Sequence, residues 1–177
     1  QTTVLGILKT DFQENQVPPI IEIPAKSRVW IAFVGGYVLF QLLFPWRFLL
    51  YPGNVFWTEN GYRWGWRVML MEKAGTATFF VQNPVTCQEG IVNNADFLLP
   101  HQEKQMAMQP DLILQYAHFL ARTYQNPGHL LPKVRAEVYV TLNGQPSQLY
   151  FDPQLDLTRI KDRWNGYDWL NPAPESK

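Results

Sequence analysis

Tyr62, Arg63, Trp64, Trp66 and Arg67 bring three aromatic rings and two guanidinium groups into six consecutive positions. Arginine forms bidentate hydrogen bonds with carboxylates and stacks on aromatic rings. These residues could therefore form a wall that binds an anion or a peptide. The alternative is an interfacial belt, in which the aromatic side chains lie at a membrane surface and the arginines extend their charged ends into water. The sequence leaves both interpretations open.

Residues that bind metal ions or act as nucleophiles are sparse. His101, His118 and His129 are 17 and 11 residues apart, and Cys87 is the single cysteine. Catalytic zinc usually takes three protein ligands and structural zinc four, so we expect no metal site. Cys87 lies among polar residues that predict a loop, and we assign it no nucleophilic role. The glycine motifs that bind nucleotides do not occur in the sequence.

Three aspartates, Asp152, Asp156 and Asp162, follow the last strongly alternating segment. Aspartate side chains often accept backbone hydrogen bonds in turns. We therefore interpret this group as turn residues rather than as an acid–base pair.

Length and charge limit the class of protein. The chain has 177 residues, enough for one domain with a core and an accessory segment, and its 15 basic and 15 acidic residues balance. This balance argues against nucleic-acid binding, which normally needs a basic excess. The sequence begins at Gln1 without an initiator methionine or a signal-peptide pattern, so we expect a fragment or processed product of a longer protein.

The N-terminal part predicts a linker and a membrane helix. Residues 1–27 contain three prolines that favour an extended linker, and residues 28–50 predict a transmembrane helix and its interface. The 18 residues 29–46 carry no charge, and as a helix they would span ~27 Å, close to the ~30 Å hydrocarbon core. The alternative is a buried helix of a soluble core. The basic residues Lys26 and Arg28 precede this segment and weakly place the chain after it outside the cytoplasm.

The remainder predicts an α+β domain over residues 51–163 and a C-terminal tail over 164–177 that runs over the surface. Alternation from Trp66, a turn at residues 73–76 and a strand at 77–82 predict a first β-hairpin. Two helices follow, at 99–108 and from Pro110. Alternation over 134–142, the Asn143-Gly144 turn and residues 148–151 predict a second hairpin, and 155–157 a short strand. The expected fold is an N-terminal transmembrane helix followed by a mainly antiparallel β domain of two hairpins with a helical insertion.

The order and spacing of several motifs in this chain resemble those of the vitamin K-dependent gamma-glutamyl carboxylase family. The resemblance extends from near the membrane helix to about residue 160 and fits the C-terminal extracytoplasmic part of the bacterial relatives that carry the HTTM (horizontally transferred transmembrane) domain. It rests on the order of Trp57, Tyr62, Trp66, the methionine-containing segment that follows, Asp111, Gln115-Tyr116-Ala117, Phe151-Asp152-Pro153 and Asp156.

The resemblance implies an integral membrane enzyme of lyase type with a multi-helix bundle, of which residues 28–50 are expected to form the last transmembrane helix. Its members couple the oxidation of reduced vitamin K, or a related quinol, by O2 to proton removal from a glutamate side chain and addition of CO2. The general base is a lysine in the bundle, so this chain would hold no catalytic residue and would be inactive alone. The implied partners are the rest of the bundle and a glutamate-containing peptide or protein. The residues expected to bind that substrate are Trp57, Tyr62, Arg63, Trp66 and Arg67.

The chain departs from the animal members of the family at two positions of this region. It has Gly65 where they have serine, and Met71 where they have histidine. A bacterial relative could therefore retain quinol oxidation and act on another acceptor. Two alternatives from other classes stay open: a non-catalytic module that binds a peptide or protein, and a structural cap of a membrane protein.

Overall fold

A computed structural model describes residues 25–67, 70–126, 128, 130–161 and 166–174. The predicted linker up to residue 24, His129 and Asp162 lie outside the described residues. The chain divides into two compact units, Gln1–Leu39 and Phe40–Lys177.

The predicted membrane helix is present as α1, Ala25–Leu43. Among the residues that the structure describes, one segment, Ser27–Leu50, is long and apolar enough to cross a membrane. Apolar side chains surround α1 and almost all of them are exposed, as expected for a helix whose surroundings are not water. A Cβ added at Gly35 or Gly36 would meet nothing within 4 Å, so the middle of α1 has room for a close helix neighbour.

The second unit begins with short helices. A 3₁₀ helix, η1, covers Phe44–Leu50, and the single-turn helix α2 covers Val55–Thr58. The Asn54 side chain accepts a hydrogen bond from the backbone N–H of Phe56 at 2.9 Å and caps α2. Glu59 ends α2 in the left-handed conformation, with φ 59°.

One antiparallel sheet of four strands forms the centre of this unit, in the order β2-β1-β3-β4. The two long strands pair along their whole length, from Lys73 opposite Leu142 to Gln82 opposite Lys133. The short strands lie at the edges. The strands are β1 (Lys73–Gln82), β2 (Glu89–Ile91), β3 (Lys133–Leu142) and β4 (Gln148–Leu149).

The turn predicted at residues 73–76 is wrong, because these residues are the first part of β1 and pair with Tyr139 to Leu142. The prediction treats Gly75 as a turn residue. This glycine lies in the strand where helix α3 (Pro100–Met106) ends against the sheet, and a Cβ there would be 2.5 Å from the Ala107 carbonyl oxygen. A glycine inside a strand often marks such a close approach rather than a turn.

The predicted pairing of residues 134–142 with a return strand is present, but the return strand β4 covers Gln148–Leu149 and not the whole of 148–151. Asn143 and Gly144 both have positive φ and join β3 to β4. The short strand predicted at 155–157 is wrong, because Asp156 instead caps a 3₁₀ helix, η3 (Leu157–Arg159), by accepting from the Thr158 N–H at 3.2 Å. The inward side chains of β3 are buried as its alternation predicts: Val134, Ala136, Val138, Val140 and Leu142.

The helical insertion between β2 and β3 covers the sheet. A 3₁₀ helix, η2 (Asn94–Asp96), precedes α3 (Pro100–Met106) and α4 (Pro110–Thr123), so both predicted helices are present. The apolar face of α4 enters the core. The C-terminal segment also contacts the core: Leu170 bridges to Phe151, and the Trp169 ring lies 4.9 Å from the Phe151 ring. The sequence predicted a tail that runs over the surface, whereas Trp169 and Leu170 contact the core.

Candidate functional site

Four of the five predicted site residues lie on the chain that leaves α2, residues 59–67, here called the site loop, and the fifth, Trp57, lies in α2 itself. The loop is tightly turned, because Glu59, Gly61 and Trp64 have φ of 59°, 71° and 66°. A Cβ on Gly61 would be 2.7 Å from the Cα of Phe48. Glycine is therefore required there for two reasons, the positive φ and the contact with η1.

Hydrogen bonding also ties the site loop to η1. The Arg47 guanidinium donates through Nη2 to the backbone carbonyl of Arg63 at 2.6 Å, and its Cζ lies 4.6 Å from the centre of the Phe44 ring. Arg47 therefore holds the loop instead of extending its charged end freely into water.

Trp57 is buried, with 1% of its surface exposed. Its indole N–H donates to the carbonyl of Asn171 at 2.8 Å, and its ring meets the Tyr150 ring edge-on at 5.0 Å. These contacts join α2 to the residue after β4 and to the C-terminal segment. In this structure Trp57 supports the site loop from inside the core and presents no face to a ligand.

Arg67 and Tyr62 share an aromatic support. The Arg67 guanidinium lies 4.0 Å above the Phe48 ring and 5.4 Å from the Phe56 ring centre. The Tyr62 ring meets Phe56 at 6.3 Å. Trp66 is 69% exposed. The structure thus brings Tyr62 and Arg67 to one cluster of rings, and the exposed Trp66 precedes Arg67 in the chain.

Arg63 has a different environment. Its Nη2 atom lies 2.8 Å from the Asp111 carboxylate and donates to Gln109 at 2.9 Å. Both partners belong to the start of α4, so this ion pair fixes the site loop against the helical insertion. Asp111, which belongs to the pattern that suggested the family, compensates the charge of Arg63.

A buried polar cluster lies beneath the site loop. The Lys73 side chain, only 2% exposed, donates from Nζ to Glu59 at 2.8 Å, to the Trp57 carbonyl at 2.9 Å and to the Tyr150 hydroxyl at 2.9 Å. The Tyr150 hydroxyl in turn donates to the Trp57 carbonyl at 2.6 Å. The cluster connects the end of α2 to β1 and the residue after β4, and all three N–H groups of Lys73 Nζ have an acceptor within 2.9 Å.

Burial shifts the ionisation of this cluster. It lowers the pKa of Lys73 and raises the pKa of Glu59, and their mutual attraction opposes both shifts without cancelling them. Burial also raises the pKa of the Tyr150 hydroxyl, with Glu59 adding to the effect. The low-dielectric surroundings therefore disfavour charge on both members of the pair.

Sequence reasoning missed this cluster. Lys73 was placed in a turn, and its partner Tyr150 is 77 residues away in the chain. The sequence offers one signal, a glutamate and a lysine, Glu59 and Lys73, on either side of the aromatic residues. Their spacing is not diagnostic of an ion pair.

The other candidate groups belong to other segments of the chain, and the partners of His118 and Asp152 are outside the site loop. Cys87 is exposed in the β1–β2 connection, and the His118 ring is within 3.1 Å of the Leu157 carbonyl. Asp152 accepts from the Gln154 N–H at 2.9 Å, which is turn chemistry. Within the described ranges, no group of three or more His, Cys, Asp or Glu residues is placed to hold a metal ion.

Comparison with known proteins gives the family. Residues 26–176 match the family model of the vitamin K-dependent gamma-carboxylase lumenal domain. No solved structure gives a significant match to the chain. The match and the apolar segment Ser27–Leu50 together indicate a membrane protein with an extracytoplasmic domain. The resemblance carried by the site loop, α4 and the last strands is confirmed: the chain belongs to the family of the vitamin K-dependent gamma-carboxylase lumenal domain.

Proposed function

We propose that this chain is the C-terminal part of a membrane-embedded, gamma-carboxylase-like enzyme, and that the site loop helps bind the glutamate side chain that is carboxylated. The rest of the transmembrane bundle supplies the general base and the site for reduced vitamin K or a related quinol, with O2 and CO2 as co-substrates. We assign none of these cofactors to residues of this chain. Its own contribution is to bind and orient the acceptor.

The environment of Arg67 carries the proposal. Within the part of the chain that the structure describes, its guanidinium packs over Phe48 and Phe56 and forms no ion pair with a carboxylate. A guanidinium stacked on rings keeps its N–H edges for bidentate binding of a carboxylate. Arg67 is therefore the cation of the site loop that is available to an acceptor glutamate.

The other predicted site residues take supporting roles around Arg67. Arg63 is already paired with Asp111, so it fixes the loop. Tyr62 offers a hydroxyl beside the same rings, and Trp66 offers an exposed apolar face against which the acceptor can pack. Trp57 holds the loop from the core.

The chemistry explains why such a site is needed. The hydrogen that must leave the glutamate is on a carbon with no strongly activating neighbour, so removing it requires a strong base from which water is excluded. Fixing the acceptor by its carboxylate and by aromatic contacts lowers the entropic part of the barrier. A domain outside the membrane that covers the bundle can do both.

Replacing Arg67 in the complete membrane protein tests the proposal. We expect Arg67→Gln to raise KM for a glutamate-containing peptide roughly ten- to hundredfold, because a hydrogen bond to a charged group contributes about 1.5–3 kcal/mol. Arg67→Lys keeps the charge and loses the bidentate geometry, so its KM should be intermediate. Carboxylated peptide and vitamin K epoxide are measured together.

The matched control is Arg159→Gln, which removes an exposed arginine on η3 that forms an ion pair with Asp156, three residues earlier in the chain. It should leave KM unchanged. A wild-type KM in Arg67→Gln would show that Arg67 does not bind the acceptor. Peptide binding without any product in the complete wild-type protein would instead favour the non-catalytic binding module.

A further inference from the structure

We infer that four exposed apolar side chains, Trp46, Leu49, Leu50 and Trp64, form a membrane-contacting surface that enters the boundary between lipid headgroups and acyl chains. The first three belong to η1, and Trp64 belongs to the site loop. Leu50 is 82% and Trp64 77% exposed. Apolar side chains of this size in one region mark an interaction surface rather than ordinary surface variation.

The two segments belong to one region because they are in direct contact. The Arg47–Arg63 hydrogen bond, at 2.6 Å, joins them, and Gly61 packs against the backbone of Phe48. A Cβ on Gly65, the residue after Trp64, would lie 3.8 Å from the Pro45 carbonyl oxygen. Trp64 therefore cannot move far from η1 without breaking these contacts.

Sequence continuity identifies lipid as the partner. The segment long and apolar enough to cross a membrane ends at Leu50, so η1 forms its last turns. Tryptophan is enriched where a membrane-spanning segment meets water, because its indole has an apolar body and a polar N–H. The surface has a tryptophan on each segment and continues the apolar segment directly.

A neighbouring helix is the other conceivable partner, and the small residues favour a different place for it. Helices in membranes approach each other closely at glycine and other small residues. Gly35 and Gly36 supply that feature in the middle of α1, where a Cβ would meet nothing within 4 Å. The membrane-contacting surface has only large side chains, which suit lipid better than close helix packing.

The depth of labelled cysteines in bilayers tests the inference. In a background of the complete protein in which Cys87 and every cysteine outside these 177 residues are replaced by serine, Trp64→Cys and Leu50→Cys each receive a nitroxide label, and the protein is placed in phosphatidylcholine bilayers. We expect both labels to collide more often with dissolved O2 than with a water-soluble nickel chelate. Two positions are used because either substitution could disturb its own segment.

The native cysteine provides the control. Cys87 is exposed in the β1–β2 connection, and a label there should collide more often with the nickel chelate. Labels at 64 and 50 that behave like the label at 87 would overturn the inference, because both would then be in water. Labels shielded from both reagents would also overturn it and would point to a covering helix. The outcome is independent of the KM of the Arg67 variants, so this surface and the proposed acceptor site can fail separately.

Discussion

Two arginines four positions apart in the site loop differ in their contacts, and we therefore assign them different roles: Arg63 fixes the loop and Arg67 is proposed to bind the acceptor. Arg63 is compensated by Asp111, whereas Arg67 lies over two phenylalanine rings. The sequence predicted that both belong to the site, since both flank the same tryptophans. It could not separate their roles, because Asp111 comes from a helix that is distant along the chain.

Trp57 and Lys73 show the same limit of sequence reasoning. Trp57 is in the pattern that suggested the family, yet it is buried and bonded to Asn171. Lys73 is a charged residue inside the core, where lysine is rarely found without a partner. Burial of a polar side chain depends on contacts made only after the chain has folded, and neither residue carries a local signal of it.

The buried pair predicts an unusual pH dependence for one variant. Lys73→Met removes the cation that lowers the pKa of Glu59, so this pKa should rise further above 4.5. At pH 7 the carboxylate is then buried without its partner, and we expect a loss of about 3–5 kcal/mol of stability. Between the raised pKa of Glu59 in the folded protein and its ordinary pKa of 4.5 in the unfolded chain, the carboxyl is protonated in the folded protein and ionised in the unfolded chain. Stability should therefore increase as the pH falls toward 4.5.

Chemical denaturation of wild type, Lys73→Met and Lys161→Met at several pH values measures this effect. Lys161 is exposed, so its replacement should change stability little at any pH. The double variant Lys73→Met/Glu59→Gln lacks both charges and should recover most of the loss at pH 7. A Lys73→Met protein that stays equally destabilised from pH 7 to 4.5 would refute the assignment of Glu59 as the responsible carboxyl.

The elements follow from the sequence to very different degrees. The alternation of β3, the apolar face of α4 and the Asn143-Gly144 turn each reflect a local physical rule, and the structure confirms all three. Strand β1 does not follow such a rule at its start. Its first residues form a strand because they pair with β3. Position 75 has no room for a Cβ, because the end of α3 lies against it.

Gly75 should therefore be intolerant of a side chain. In Gly75→Ala the new Cβ would be 2.5 Å from the Ala107 carbonyl oxygen, so either β1 or the end of α3 must shift. Overpacking of this kind costs about 1–3 kcal/mol. The change in the free energy of unfolding is measured by denaturant titration.

Gly90→Ala is the matched control, because Gly90 is also in a strand and a Cβ there meets nothing within 4 Å. We expect it to retain wild-type stability or to be slightly more stable, because alanine lowers the conformational entropy of the unfolded chain. Equal stability of the two alanine variants would mean that α3 does not press on β1 as the structure shows.

At the scale of the whole molecule, the site loop links two environments. One side of it contacts η1, at the end of the apolar segment, and the other is anchored to the sheet through Glu59, Lys73 and Tyr150. The sequence predicted an aromatic belt and a substrate wall as alternatives. The structure provides room for both, since Trp64 is exposed next to η1 while Arg67 and Tyr62 share the Phe48–Phe56 cluster.

The proposed function predicts that this chain binds and orients the acceptor and that the transmembrane bundle carries out the catalysis. Lys73, the one buried lysine among the described residues, donates to three acceptors, so its nitrogen is not free to take a proton from a substrate. We expect the 177-residue chain in bilayers, given reduced vitamin K, O2, CO2 and a glutamate peptide, to form neither epoxide nor carboxylated product. A longer protein with the transmembrane bundle should form at least the epoxide under the same conditions. Product from the short chain at a comparable rate would place the base within these residues and contradict the division of roles proposed for the enzyme.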